Sequence, residues 1–494
     1  MKLSCKFISL LTACLLGLSI QTSAQENKLP KQTLKTNYQI IYNDLPKSVD
    51  TFAKLFSEGK FYGRLRSNTF YFDWKKEDKD RSINLITGLG ASIIYKSAIY
   101  HDYDFSLGLY GSQAFFDDKK DPIAHLKPGK DLLSRYDYAN TGTRSMGVVG
   151  QAYLRYEGID KTKIILGRQL VETFYTKSND SKMIPNTFDG IVAETKTIPE
   201  TKIKLAYLER QKLRDHTRAH SLLMYGDANS TSAIKPQWSE NDDAAMHRGL
   251  TYTALRAAGK PTDAPLIVGD LYNHSIPDLK IDASFYVVPE LLSQAMAEFN
   301  YTFTAGENFT ITPGVRYIRQ FDNGAGAIGG ASFTGNFTGY NDPASLDAQM
   351  IAARLVARMD NYKFNLSYSY IFDEADLITP WRGFPTAGYT RSMITYNWRA
   401  NTKSYRFEIQ KNANNKGVYK DLFIQASVLY VDGDEKKTDP FIEDEIFYYL
   451  GFVQNVPNMP SLQWRLRLGY AQFLNGDDSD YNFFDGRFEL NYLF

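Results

Sequence analysis

Arg465 and Arg467 are the residues whose type and spacing carry the clearest chemistry in this chain. They alternate with Trp464, Leu466 and Leu468, so an extended backbone sends both guanidiniums to one face and the apolar side chains to the other. On a lipid face an arginine costs ~2–4 kcal/mol near the midplane. The pair therefore belongs on an enclosed wet face, where stacked positive charges attract anions. The same phase sets Arg64 and Arg66 opposite Phe61, Gly63 and Leu65, and puts Arg316 and Arg406 on polar faces beside acids such as Asp282 and Glu408. Arg354 and Arg358 join the set if 346–359 is a strand, although that stretch reads nearly as well as a helix. Any one of these arginines alone reads equally well as half of an ion pair that braces the wall; as a set they favour attraction of anions. Arg382 sits in Thr379-Pro380-Trp381-Arg382-Gly383-Phe384-Pro385-Thr386, with proline on both sides. Two readings of it stand level: a segment folded inward so that Arg382 narrows the passage, or a rigid outer loop.

Catalytic and metal chemistry has weaker footing. The chain has six histidines, and no Ser or Asp accompanies one in a recognisable nucleophile arrangement. His216 and His220 stand i, i+4 beside Asp215 but lack the Glu of the zinc-protease motif, which leaves a solvated loop. Asp478, Asp480, Asn482 and Glu489 match four calcium-loop positions, yet Phe483 stands where that loop needs Gly. Gly88-Leu89-Gly90 lies in a strand pattern without a phosphate-loop lysine, and its glycines are read as easing strand curvature. No metal, cofactor or enzymatic activity is expected.

The elements that must carry these residues are strands. Tyr362, Phe364, Leu366, Tyr368, Tyr370 and Phe372 alternate with Lys363, Asn365, Ser367 and Ser369, which is the period of two. Leu279–Val287, Phe299–Thr304 and Leu462–Tyr470 alternate in the same way, and further runs lie near 61–74, 82–100, 103–116, 145–157, 202–209, 309–321, 393–399, 405–410, 422–431 and 446–453. Runs of about ten residues suit tilted membrane strands better than a soluble sandwich. Tyrosine and tryptophan recur at the ends of the apolar faces, as in interfacial girdles. Phe488, Leu490, Tyr492 and Phe494 alternate to the last residue, as a closing barrel strand would.

Composition agrees. Of 494 residues, 34 are Tyr and 31 Phe, with no apolar run long enough for a membrane helix beyond the first residues. Lys2 and Lys6, an apolar stretch from Phe7 to Ile20, and Thr22-Ser23-Ala24 form a secretory signal layout, read as cleaved after Ala24. Its removal takes both cysteines, excluding thiol chemistry, and moves the formal charge from +1 to −1, with no bulk basicity for nucleic acid. Residues 25–57 read as a periplasmic segment in which Ser48 caps a short helix bearing Phe52, Leu55 and Phe56, and 58–494 as the barrel. Unequal connections follow: the charged stretch from Asp117, the excursion 210–262 with a helix over 244–258, the Gly-rich and mobile 322–342, and 373–391.

Ser181-Lys182-Met183-Ile184-Pro185-Asn186-Thr187-Phe188-Asp189-Gly190, following Ile164-Ile165-Leu166-Gly167-Arg168-Gln169, resembles the corresponding segment of OprD-type porins. His247-Arg248-Gly249-Leu250-Thr251-Tyr252 and Trp381–Thr386 resemble the epsilonproteobacterial version of that family. The resemblance implies an 18-stranded barrel, with 16 strands as the alternative, constricted by infolded loops. It also implies an outer-membrane location, monomers or loose trimers, and passive uptake of small polar solutes such as carboxylates and amino acids, drawn by basic residues on the wall. The expected partners are then outer-membrane lipid and lipopolysaccharide, the barrel-assembly machinery and those solutes. Rival classes are a barrel enzyme of phospholipase or protease type and a non-channel structural barrel.

Overall fold

The computed structural model describes residues 30–77, 83–116, 131–178, 180–231, 238–413, 420–437, 444–474 and 481–494. The expected signal segment, the run from Asp117 to Lys130, and Asp478 and Asp480 lie outside them. An N-terminal hairpin, β1 (Gln32–Leu34) and β2 (Ile40–Tyr42), is followed by helix α1 (Phe52–Ser57). The chain then runs through β3 (Lys60–Trp74), β4 (Asn84–Lys96), β5 (Tyr103–Phe116), α2 (Arg135–Thr141), β6 (Ser145–Ile159), β7 (Thr162–Gln169), β8 (Thr187–Thr195) and β9 (Thr201–Lys212). After α3 (Tyr252–Ala257) come β10 (Leu266–Asn273), β11 (Leu279–Val288), β12 (Leu292–Tyr301), β13 (Phe303–Thr304) and β14 (Phe309–Asp322). Then follow α4 (Ala325–Gly329), β15 (Ala348–Met359), β16 (Tyr362–Ile371), β17 (Lys403–Lys411), β18 (Leu422–Asp432), β19 (Glu445–Val456), β20 (Met459–Phe473) and β21 (Phe483–Leu493).

Strands β3 to β21 pair antiparallel with their neighbours, and β21 returns to β3, so the sheet closes into an 18-stranded barrel in which β13 prolongs β12. Closure removes every unpaired edge. At the seam the Phe494 amide donates to the Gly63 carbonyl at 3.0 Å, and the Gly63 amide donates to the Phe494 carbonyl at 2.8 Å. A Cβ on Gly63 would lie 2.1 Å from the Phe494 ring, so a side chain there would push aside the terminal aromatic that lies across the first barrel strand.

Burial is inverted relative to a soluble sandwich. Leu366 is 59% exposed and Phe61 62%, whereas Ser369 and Glu489 are fully buried. An apolar outside and a polar inside is the alternation of a barrel that faces lipid. Fully described connections at one end are short, among them 160–161, 360–361 and 457–458, while those at the other include 170–186, 323–347 and 372–402 and the longer excursion 213–265.

These long connections fold into the barrel because they carry large apolar side chains. One buried cluster joins Tyr175, Leu222, Leu250, Trp381 and Trp398 to the wall residues Tyr286, Ile318 and Met350. A second joins Leu132, Met183 and Ile184 to Phe70, Ile86 and Phe447 on the other side.

Several sequence expectations change here. Residues 348–359 form strand β15 and not a helix. The alternating run 393–399 is not a strand: Trp398 stacks on Phe384 inside the lumen, with centroids 4.7 Å apart, so the alternation serves loop packing. The helix expected over 244–258 shrinks to α3, because Ala245, Met246 and His247 are buried in turns. Thr51, not Ser48, caps α1, accepting from the Lys54 amide at 3.4 Å. The Gly-rich 322–342 carries α4 and buries Ala325, Ala331 and Phe333. Gly88 and Gly90 serve close approach: a Cβ on either would meet Leu132 or Met183 within 3.0 Å.

Candidate functional site

The basic wall of β3, β20 and β21 faces the lumen, and Arg64, Arg66, Arg467 and Arg487 on it are ion-paired. Arg64 and Arg66 both reach Asp180 of the infolded 170–186 loop, at 3.1 and 2.7 Å, and Arg66 also donates to the Lys182 carbonyl. Arg467 pairs with Glu489, the residue opposite Arg465 in the β20–β21 register, and Arg487 with Asp485 at 2.6 Å. Arg465 stacks on the ring of Tyr38, with its Cζ 3.5 Å from the centroid, and donates to the Thr36 carbonyl.

A second cluster spans β12, β14 and β15. Glu298 accepts from Arg316 at 2.5 Å and from Arg354 at 2.8 Å. Both guanidiniums hold the loop above them: Arg316 Nη1 donates to the Pro385 and Ala387 carbonyls at 2.7 and 2.8 Å, and Arg354 Nη1 to Gly388 at 3.0 Å. Arg406 pairs with Glu408 on its own strand, as the sequence placed them. Asp282 is not beside Arg316; it binds Lys280 at 2.6 Å, and Glu298 is the acid that Arg316 meets. Arg358 lies on the lumen phase of β15 but is exposed at the short-turn end, away from these clusters.

The Trp381–Thr386 segment is folded inward. Trp381 is fully buried and its indole N–H donates to the Leu222 carbonyl at 2.8 Å. Arg382, in the left-handed region at φ 71°, pairs with Asp243 of the 213–265 loop. A Cβ on Gly383 would lie 2.0 Å from the Phe174 carbonyl oxygen, so the chain passes here only without a side chain.

Between these loops and the N-terminal hairpin lies a cavity of about 780 Å³. Its wall mixes signs: Lys182, Arg382 and Arg391 face it together with Asp131, Asp180 and Glu172. Burial pulls Arg391 down to about 10, so it stays cationic at neutral pH, over the Phe384 ring at 4.9 Å. Burial holds the Lys182 amine well below the usual lysine range, and its Nζ lies 3.7 Å from Asp131. His216 and His220 are not solvated: both are buried, with ring centroids 4.9 Å apart, and His216 Nε2 lies 3.1 Å from the Asp242 carbonyl oxygen. The described residues contain no group of three or more His, Cys, Asp or Glu able to hold a metal.

Sequence reasoning missed Asp180, Asp243, Glu298 and Tyr38. Glu298 had a usable signal, since it continues the polar phase of Asn300 opposite Phe299. The other three sit in connections, where period two says nothing about partners.

No protein-family model and no curated protein matches the chain. Solved structures do. It is similar to OccAB3 of Acinetobacter baumannii (TM-score 0.66, 14% identity, covering 89% of this chain and 99% of that one). OccAB4 of the same organism matches with TM-score 0.65 and 16% identity over 88% and 98% of the two chains. The outer membrane protein OpdK of Pseudomonas aeruginosa matches with TM-score 0.65 and 13% identity over 89% and 99%, and OpdK with vanillate is also among the matches. These relatives are porins of the OprD/Occ family. The chain has the fold of those barrels along nearly its whole described length.

Proposed function

We propose that the protein is an outer-membrane channel for passive diffusion of small polar solutes, with small carboxylates and amino acids as the preferred class. The observation that carries this reading is a closed inside-out barrel whose lumen holds a cavity lined by both signs of charge. A channel needs a wet passage, a narrow section and a local field. Loops 170–186, 213–265 and 372–402 supply the narrowing, and Arg64, Arg66, Arg316, Arg354, Arg382, Arg406, Arg465 and Arg467 the basic side of the field, with Asp282 and Glu408 among the acids. That OpdK is known with vanillate, a carboxylate, supports the solute class. In this reading lipid and lipopolysaccharide cover the apolar outer face, and the stripe ending on Phe494 is what the barrel-assembly machinery receives.

A second reading, a barrel that does not conduct, draws on the apolar packing of Trp381 and Trp398 within the lumen. Swelling of proteoliposomes separates the two. Rapid swelling in glycine, glutamate or benzoate, with none in a large oligosaccharide, is the expected outcome. No swelling in any small solute would refute the channel.

A further inference from the structure

The N-terminal hairpin lies inside the barrel. It enters at the short-turn rim, where the Gln32 side chain donates to the Gly63 carbonyl at 2.6 Å. Leu34 is buried, and its carbonyl accepts from Gln463 of β20 at 2.9 Å. At the tip the Tyr38 hydroxyl donates to Glu489 at 2.5 Å while Arg465 covers the ring face. The other arm lies against the neighbouring strands β3 and β4, next to β21 in the sheet: Tyr42 meets Tyr62 of β3 edge-on, with centroids 4.6 Å apart, and lies 4.5 Å below the Lys96 ammonium at the end of β4.

Two features mark this as a built contact. Tyr38 takes φ 69°, a left-handed conformation that a bulky aromatic rarely adopts and that persists only when its surroundings impose it. Burial and Glu489 also raise the Tyr38 phenol well above its ordinary range, so it stays protonated and remains a donor. The consequence is steric and electrostatic. Residues from Lys35 to Tyr42 form one wall of the cavity whose other walls are the infolded loops, and Tyr38 masks Arg465, half of the basic pair on β20.

We propose that this hairpin is a second constriction, supplied by the chain's own N-terminus, which sets the width and the charge selectivity of the passage by covering Arg465. Its effect on permeation rests on the channel reading above; its masking of Arg465 does not. The test uses full-length protein with residues 31–43 deleted, and separately Tyr38→Ala, each first shown to fold by a heat-modifiable gel shift. In planar bilayers under a salt gradient, the deletion should raise single-channel conductance at least twofold and move the reversal potential toward the anion limit. Tyr38→Ala should move it in the same direction with a smaller rise in conductance. If the parent conducts and both variants match it, the hairpin has no such role. Independently of conduction, Arg465→Cys should react with a charged thiosulfonate at least tenfold faster once Tyr38 is also Ala, measured against the chain without Arg465→Cys. Equal rates would overturn the proposal whether or not the barrel conducts.

Discussion

Glu298 is the residue on which two wall arginines depend. Its carboxylate is nearly fully buried and receives both Arg316 and Arg354, which in turn hold the carbonyls of Pro385, Ala387 and Gly388. Removing one partner of a buried charge cluster leaves the other uncompensated, typically at about 3–5 kcal/mol. Glu298→Gln should therefore lower stability by roughly 3 kcal/mol, seen as an earlier loss of the heat-modifiable form, and should shift the reversal potential toward anions. Unchanged values would mean that the loop, not the acid, neutralises the arginines. At this scale the sequence was half legible. Period two placed Arg64, Arg66, Arg316, Arg406, Arg465 and Arg467 on the inner face, because a lipid-facing guanidinium is costly. It did not supply their partners, since Asp180 and Tyr38 reach them from segments that carry no strand period.

At the scale of elements, the infolded loops are held by close approach and by hydrogen bonds that need neutral groups. His247 Nε2 donates to the Gly330 carbonyl at 2.8 Å, and its Nδ1 accepts from the Gly249 amide at 3.1 Å. Burial pulls this imidazole down to about 4, against ~6.5 for a free histidine. Between those values the folded loop binds fewer protons than the unfolded one, so its stability is full above ~6.5 and declines as pH falls toward 4. At about 1.4 kcal/mol per unit the loss approaches ~3 kcal/mol. Hydrogen exchange over residues 238–258, corrected for intrinsic rates, should show weaker protection at pH 5 than at pH 7, and His247→Gln should flatten that difference. A second test concerns Gly88. Valine there would press on Leu132 and Met183, costing about 1–3 kcal/mol, and should displace the 170–186 loop, read as a rise in conductance. Strands such as β16 and β20 were legible because their alternation is unbroken. The run 393–399 misled, because Ile394, Tyr396 and Trp398 alternate for packing within a loop; and α3 is shorter than expected because turns bury the residues before it.

For the whole molecule, a chain of this length and low mean hydropathy makes sense as one closed sheet that spends every second strand residue on a polar interior. The barrel itself was legible from period, aromatic girdles and the final alternating strand. The filling of its lumen was not, because loop entry is decided by tertiary contacts such as Trp381 on Leu222 and Tyr38 on Arg465. The central claim is that this filled barrel still conducts. Purified, heat-modifiable protein should give stepwise, ohmic conductance in a planar bilayer, with a reversal potential in a salt gradient leaning modestly to the anion side. Folded protein that never conducts would contradict the channel, and a strongly cation-selective reversal potential would contradict a field set by the wall arginines.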